Sequence, residues 1–365
     1  MSNVPPTPQS APVVRGTSPR ATGSVAGVAP KLASVVVLNW NGRQHLEACL
    51  AVLREQTYQP REIIVVDNGS TDGSTDFVQQ RFPEVTLLRS PTNLGFAAGS
   101  NLGLRVARGA YLATLNNDTL PDPHWLEELV RAMEADPSLG MCASKVLSWD
   151  GAAIDSAGIA LDRAGIAWER AKGQPAADEE DAAQVFGPSA AAALYRRAVL
   201  DEVGLFDERF FCFLEDVDLA WRARGMGWRC LYVPTARVRH YHSATAGEGS
   251  AFKRYLLARN KAWTIAKNYP SPYLWLHLPA IVLCDLLAVA YALAFCTPSW
   301  EAKWAVVRGR LAALAGLGKA LRDRQKVQRQ CRLTAAEMLG LMEPLPGPWR
   351  ARGERASHIT ARLAP

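Results

Sequence analysis

Glu62-Ile63-Ile64-Val65-Val66-Asp67-Asn68-Gly69-Ser70 is a run of β-branched aliphatic residues that stops at an acid, an amide, a glycine and a hydroxyl. A stretch apolar at every position, rather than at every second one, is a strand buried on both faces. The turn residues mark where it ends. The same grammar recurs on either side. Leu32–Leu38 runs into Asn39-Trp40-Asn41-Gly42, and Ala110-Tyr-Leu-Ala-Thr-Leu115 runs into Asn116-Asn117-Asp118. Between these runs, Leu46, Cys49, Leu50 and Leu53 recur at helical spacing over 43–56. Ser70, Asp72, Ser74 and Asp76 offer caps for a helix over 75–82. A short strand over 85–88 and a helix reaching Arg108 complete the alternation. The fold class that follows is α/β, a mostly parallel central sheet flanked by helices. Ligands of such sheets bind beyond the carboxyl ends of the strands. Asn39, Asp67, Asn93 and Asp118 all fall at or just after such ends.

The second half predicts a helix over 123–133, strands over 141–146, 190–195 and 229–233, and helices over 196–203 and 218–226. The stretch 150–185, with an acidic patch over 178–181, reads as a variable loop or hairpin. From Tyr273 to Cys296 the chain is apolar except for His277, Pro279 and Asp285, close to the length of a bilayer crossing. A central carboxylate is expensive in lipid, so an embedded or interfacial segment is the expectation ahead of a full span. Residues 303–334 combine Trp304, Val307, Leu311, Leu314, Leu317 and Leu321 with many basic residues, as interfacial helices do.

With 365 residues and 48% hydrophobic content the chain can bury a large core. Its net charge of +6 is uneven: residues 301–365 hold 13 Lys/Arg against 5 Asp/Glu. A basic end suits anionic lipid or nucleic acid. Nucleic acid is disfavoured because the positive charge is not interleaved with the aromatics of the first 245 residues. Seven cysteines with no CxxC spacing read as reduced thiols. The first 31 residues carry Pro, Ser, Gly and Val without an apolar h-region, which reads as a disordered leader ahead of a cytoplasmic catalytic domain.

Asp118 can ligate Mg²⁺ or Mn²⁺ with diphosphate oxygens and water completing the shell, or it closes a helix-entry turn. Asn116 could reach a nucleotide sugar or a bound water. Asp67 can accept from a pyrimidine imide or a ribose hydroxyl with Asn39 assisting, or it forms an Asx-turn. No GxGxxG occurs, which speaks against a dinucleotide site. Asn93-x-Gly95-x-x-x-Gly99-x-Asn101 permits close approach of backbone to a ligand, or tight packing of a helix on its neighbour, with Arg105 facing outward. Glu215-Asp216 follows Phe210, Phe211 and Phe213, and burial there raises a carboxylate's pKa toward the range of a useful base. Asp216 is the candidate base, and Glu215 orients the loop or binds acceptor hydroxyls. Asp218 caps its helix or pairs with Arg222 four residues on. One of His240 and His242 is a candidate imidazole ligand for a metal, against a structural histidine.

These pieces resemble the inverting glycosyltransferases of family 2, in particular the bacterial rhamnosyltransferase-like branch. The resemblance rests on Val35-Val-Val-Leu-Asn39, Gln56-Thr-Tyr58, Glu62-Ile-Ile-Val-Val-Asp67-Asn-x-Ser70-x-Asp72-Gly-Ser74, Asn93-x-Gly95-Phe-Ala-x-Gly99-x-Asn101, Asn116-Asn-Asp118 and Glu215-Asp216-Val-Asp218-Leu. It implies a GT-A fold, a nucleoside-diphosphate sugar donor, and Mn²⁺ or Mg²⁺. Asn39 and Asp67 match nucleotide-binding positions, and Asn93, Gly95, Asn101, Asn116 and Asn117 are taken with them as the nucleotide-sugar lining. Asp118 matches the last acid of the metal motif, His240 the histidine that joins it, and Asp216 the catalytic base. The first acid of the metal motif is Asn116 here. Ser250-x-Phe252-Lys-x-Tyr255 and Arg259-Asn260 resemble the branch's membrane-associating C-terminal part.

The domain expectation is a GT-A catalytic domain over 32–245, its nucleotide-sugar half 32–122 and its acceptor half 123–245. A helical membrane-associated region follows over 246–345, then a flexible tail over 346–365. The expected activity is metal-dependent sugar transfer to a glycan or lipid-linked hydroxyl in cell-surface polysaccharide synthesis, with L-rhamnose from dTDP-L-rhamnose as donor. The setting is the cytoplasmic face of a bacterial inner membrane, on an anionic surface, with a homo-oligomer open. The alternatives are another UDP or GDP sugar, a nucleotidyltransferase, and a non-enzymatic membrane-associated binding protein.

Overall fold

A computed structural model of the protein describes residues 14–15, 29–241, 250–294 and 300–345. Most of the expected leader, the tail over 346–365, His242 and Cys296 lie outside the described residues. The six described cysteines are free thiols.

In chain order the strands and helices are β1 (Val14–Arg15), β2 (Ala29–Asn39), α1 (Arg43–Arg54), β3 (Arg61–Asn68), α2 (Ser74–Arg81), β4 (Thr86–Ser90), α3 (Gly95–Val106), β5 (Gly109–Asn116), β6 (Thr119–Pro121) and α4 (Trp125–Ala135). There follow β7 (Leu139–Ser148), β8 (Ile154–Ser156), β9 (Ile159–Leu161), β10 (Ala167–Glu169), β11 (Ala183–Gln184), β12 (Ala192–Arg196), α5 (Arg197–Val203), a 3-10 turn (Glu208–Phe210), α6 (Glu215–Gly225) and β13 (Arg229–His240). The C-terminal helices are α7 (Ala251–Asn268), α8 (Tyr273–Ala294), α9 (Trp300–Gln330) and α10 (Ala335–Gly340).

One sheet runs β1-β4-β3-β2-β5-β12-β7-β13-β11, with β6 beside β13 and β8 beside β7. Apart from the two-residue edge strand β1, which is antiparallel to β4, its first half is parallel, as the alternation predicts: β4, β3, β2 and β5 all run the same way. The second half corrects the expectation of a mostly parallel sheet. β12 is antiparallel to both β5 and β7, and β6, β8 and β11 add further antiparallel pairs, so the sheet is mixed. A run apolar at every position reports burial of both faces and says nothing about direction. Along β2 the side chains alternate between two cores. Val35 and Val37 pack with Leu46, Leu50 and Trp125 on one side, and Val36 packs with Leu104, Tyr195 and Trp221 on the other.

The stretch 150–185, expected as a variable loop or hairpin, holds β8 to β11, with β9 and β10 forming a hairpin. β13 continues past Val233 to His240, its register shifting between Val233 and Arg237 around Pro234. The helical stretch expected over 303–334 is largely the single 31-residue helix α9. α7 and α9 meet closely: a Cβ on Gly309 would lie 2.4 Å from the Tyr255 carbonyl oxygen, and one on Gly316 would lie 2.3 Å from the Trp263 ring. α8 is long and apolar enough to cross a membrane, with a mean hydropathy of 1.8 over Tyr273–Ala290, of which 11% is buried. Pro279 lies inside it without ending it, and Asp285 is held by Arg310 of α9 and, at 3.6 Å, by Lys261 of α7.

Candidate active site

Three neighbouring parallel strands bring the first polar group together. Asn39 is in register with Asp67, and Leu38 with Asn116. Backbone pairing thus sets the ends of β2, β3 and β5 side by side. Asn39 donates to Ser74 Oγ (2.9 Å) and Ser70 Oγ (3.2 Å), and accepts from Asn117 Nδ2 at 2.7 Å. Gly42 makes that last bond possible, since a Cβ there would sit 1.9 Å from the Asn117 nitrogen. Asp67 is buried; its Oδ2 accepts from the Ser70 N–H at 3.4 Å. Its Oδ1 is buried with no hydrogen-bond partner among the described residues. Opposite it in register on β4, Arg89 has two buried guanidinium nitrogens without a hydrogen bond among the described residues, one of them 3.8 Å from Asp76 Oδ1. An orphaned buried carboxylate oxygen is costly unless a ligand completes it.

Asp118 and His240 form the second group. His240 Nε2 lies 3.3 Å from Asp118 Oδ1, and its Nδ1 lies 3.0 Å from Asp155 Oδ2. Asp155 is in turn paired with Lys172 at 3.0 Å. Burial would depress the His240 imidazole, but the bonds to Asp118 and Asp155 outweigh it and push it up to about 9. Burial likewise acts to raise Asp118, and the hydrogen bond and charge of His240 overcome it and hold the carboxyl below the ordinary range. Asn116 Nδ2 stands 3.4 Å from the same His240 nitrogen. Tyr241 donates its N–H to the Asp118 carbonyl at 2.9 Å, and its ring packs edge-on against exposed Trp149.

The third group is Glu215 and Asp216 at the start of α6. Asp216 accepts from the Ala190 N–H at 3.2 Å and from the Val217 N–H at 2.8 Å. The next residue, Ala191, accepts from the Asn116 N–H at 2.9 Å, so one short segment joins Asp216 to the end of β5. Burial raises the Asp216 carboxyl. Glu215 is more enclosed, one oxygen without a partner among the described residues; burial and then the charge of Asp216 drive it far up. Nearby Glu169, hydrogen-bonded by Ser156 and Ser189, is lifted to about 7 by burial and by Asp216.

Not every residue assigned to the nucleotide faces outward. Asn101 is buried, accepts from the Phe206 N–H at 3.1 Å, and donates to the Phe206 carbonyl (2.9 Å) and to Glu208 (3.0 Å). Its whole carboxamide braces the 206–208 segment. Asn93 Oδ1 accepts from the Gly95 N–H at 2.8 Å and from Asn68 Nδ2 at 3.0 Å, an Asx-type closure of the entry to α3. Gly95 has φ +81°, and a Cβ on it would meet the Phe211 carbonyl at 2.4 Å. Its openness serves the approach of α3 to the Phe211 loop, the packing alternative raised by the glycine spacing. Asp218 is paired with Arg222 at 2.9 Å as its spacing predicts, and also with Lys267 at 2.9 Å.

Sequence reasoning missed Asp155 and Glu169. They sit on or beside three-residue strands, too short to show a period. For Asp155 a clue did exist, an acid embedded among small apolar residues; Glu169, between Trp168 and Arg170, offers none.

Residues 34–204 match the family model described as glycosyl transferase family 2. An N-acetylglucosaminyl-diphospho-decaprenol L-rhamnosyltransferase of Mycobacterium tuberculosis is 30% identical over 265 residues, 66% of this chain and 83% of that protein. A pre-mycofactocin glycosyltransferase of the same organism is 30% identical over 195 residues, 53% of this chain and 40% of its own. The crystal structure of GalNAc-T7 with UDP, GalNAc and Mn²⁺ superposes with a TM-score of 0.58 at 15% identity, over 91% of this chain and 57% of that one. At that identity the likeness speaks for the fold, which is GT-A-like. Four neighbouring parallel strands, acids at the ends of two of them, and a relative matched over most of its length lead to one assignment: this chain belongs to glycosyl transferase family 2, and it is a glycosyltransferase.

Proposed function

We propose that the enzyme transfers a sugar from a nucleoside-diphosphate donor to a hydroxyl of a glycan or lipid-linked acceptor, by single displacement with inversion, with Mn²⁺ or Mg²⁺. The observation that carries the reading is the orphaned Asp67 oxygen on the same sheet edge as Asp118–His240 and Asp216. Asp67, with Asn39 orienting the neighbouring turn, receives the nucleoside. Asn116 and Asn117 line the path toward the diphosphate. Among the described residues no three His, Cys, Asp or Glu side chains cluster as a closed metal cage. Asp118 and His240 supply two ligands, which suits a cation completed by diphosphate oxygens and water. Asp118 and His240 would hold it where its charge would offset that of a departing diphosphate. Asp216 takes the proton of the acceptor hydroxyl, and buried Glu215 shapes its surroundings.

The donor sugar is the open variable. Small pocket contacts decide it, and a UDP or GDP sugar fits the acids above as well as dTDP-L-rhamnose does. The narrower reading, L-rhamnose, is supported by the rhamnosyltransferase relative matched over 83% of its length. A membrane surface is the proposed workplace: α8 exposes Trp275, Leu276, Leu286 and Leu287, and α9 adds Lys303, Arg308, Lys319 and Arg322.

The test is a thermal-shift screen of UDP, GDP and dTDP sugars with Mn²⁺, followed by transfer from the stabilising donor to lipid-linked and free glycans. At a donor concentration of about 100 Kd, stabilisation of about 2.7 kcal/mol is expected. No stabilisation by any sugar nucleotide, and no labelled product, overturns the reading.

A further inference from the structure

The segment that delivers Asp216 is built against its own backbone preferences. Phe211, Phe213 and Leu214 have φ of 65°, 70° and 65°, and none is a glycine. Each such residue costs about 1–3 kcal/mol and persists only where its surroundings over-determine it. The surroundings here come from α7, outside the 32–245 span that the sequence suggests as the catalytic domain. Asn260 is completely buried, and its Nδ2 donates to the carbonyls of Phe210 (3.0 Å), Cys212 (2.9 Å) and Phe213 (2.8 Å). Its Oδ1 accepts from Arg259 Nε at 2.9 Å, and Arg259 Nη2 donates to the carbonyls of Arg209 (3.1 Å) and Phe210 (2.8 Å). Five donor contacts from two consecutive residues thus gather the carbonyls that the left-handed turns present. The other side of the loop is met by α3, where the Ala97 N–H donates to the Phe211 carbonyl at 3.1 Å. Two turns along α7, Lys267 and Asn268 hold Asp218 of α6 at 2.9 and 2.8 Å.

We propose that Asn260, supported by Arg259, is a positioning residue for the reaction: it holds the 210–214 loop in the strained form that presents Asp216, so the catalytic unit includes α7. The chemistry of the position calls for an amide. A carboxylate would face three carbonyl oxygens and repel them, and an alkyl group would leave buried acceptors unpaired. The inference rests on Asp216 acting as the base, and the test separates the two.

Full-length Asn260→Asp and Asn260→Ala are compared with wild type by hydrogen–deuterium exchange, by calorimetry of nucleoside diphosphate with Mn²⁺, and by kcat against pH. Expected are faster exchange in peptides covering 207–219, and at the Ala97 amide that the loop accepts from, with 32–90 unchanged, and nucleotide affinity within about threefold of wild type. With them kcat falls by about tenfold or more, and its acid limb moves down toward the ordinary carboxylate range as the loosened loop hydrates Asp216. A general loss of stability would instead lower nucleotide binding and activity together at every pH. Unchanged exchange at 207–219, or kcat within about twofold of wild type, overturns the proposal. Should the Asn260 variants fail to fold, Arg259→Gln, which removes two of the five contacts, carries the same comparison. If wild type transfers no sugar, the transferase reading falls, and the exchange data alone decide whether α7 holds the loop.

Discussion

At the scale of one residue, the proposed mechanism turns on Asp216 as the base. Two backbone N–H groups point at its carboxylate while burial raises its pKa. A base works only when ionised, so kcat should be lost as pH falls through that raised value. The acid limb of kcat is therefore expected above the ordinary carboxylate range, and a limb at the unperturbed value would count against Asp216. Asp216→Asn should cut kcat by about 10²–10⁴-fold and leave nucleotide affinity nearly unchanged by calorimetry. Full turnover in the variant would remove Asp216 from the mechanism. Asp67, Asp118 and Asp216 stand out in the sequence because each interrupts or ends an apolar run, whereas His240, preceded by Arg237-Val238-Arg239, is reached through strand alternation and the family resemblance. What sequence could not supply was pairing. Nothing in the spacing ties His240 to Asp155, eighty-five positions earlier, or tells that Asn101 spends its amide on Phe206.

Elements show the same division. Hydrophobic runs located the seven strands of five or more residues and missed the six of two or three, too short to show a run, and the i, i+4 rule found Asp218–Arg222. Direction and partnership across the second half were not encoded in those runs, so β12 could not be known to run antiparallel. Nor could α7 be known to lie under α6. Lys267 illustrates the cost of that placement: its ammonium is nearly buried between Asp207 and Asp218, each at 2.9 Å. Both acids keep an arginine, so Lys267→Met should destabilise by about 3 kcal/mol, the low end for breaking a buried ion pair. Urea unfolding at neutral pH measures it. Burial works to raise Asp207, but Arg209 and Lys267 overcome it and hold its carboxyl far below the usual range. Its stabilisation is thus present above the unfolded pKa and lost as pH falls toward the folded one. The gap between wild type and variant should accordingly narrow in acid, and a pH-independent gap would contradict the ion-pair account.

At the scale of the whole molecule, charge and apolar exposure are sorted to one end. The central Asp285, an argument against a lipid setting when read alone, is neutralised by Arg310 and Lys261. Wild type is expected to sediment with anionic vesicles and to be released as salt rises, each Lys or Arg near the surface contributing about 1 kcal/mol. Leu286→Glu with Leu287→Glu should abolish that binding while leaving nucleotide affinity intact. Retention of the wild type in the supernatant would refute a membrane surface as its workplace.

The first turn of α3 answers to two neighbours. Asn93, bonded to Asn68 at the end of β3, closes it on one side, and Gly95 and Ala97 lie against the Phe211 carbonyl on the other. There is no slack between them, so a methyl group at position 95 would act as a wedge driven between the end of β3 and the loop that leads into α6. Natural variants that broaden acceptor choice by remodelling the 205–214 loop would have to carry compensating changes in α3, and such paired changes are where a history of altered specificity would be written.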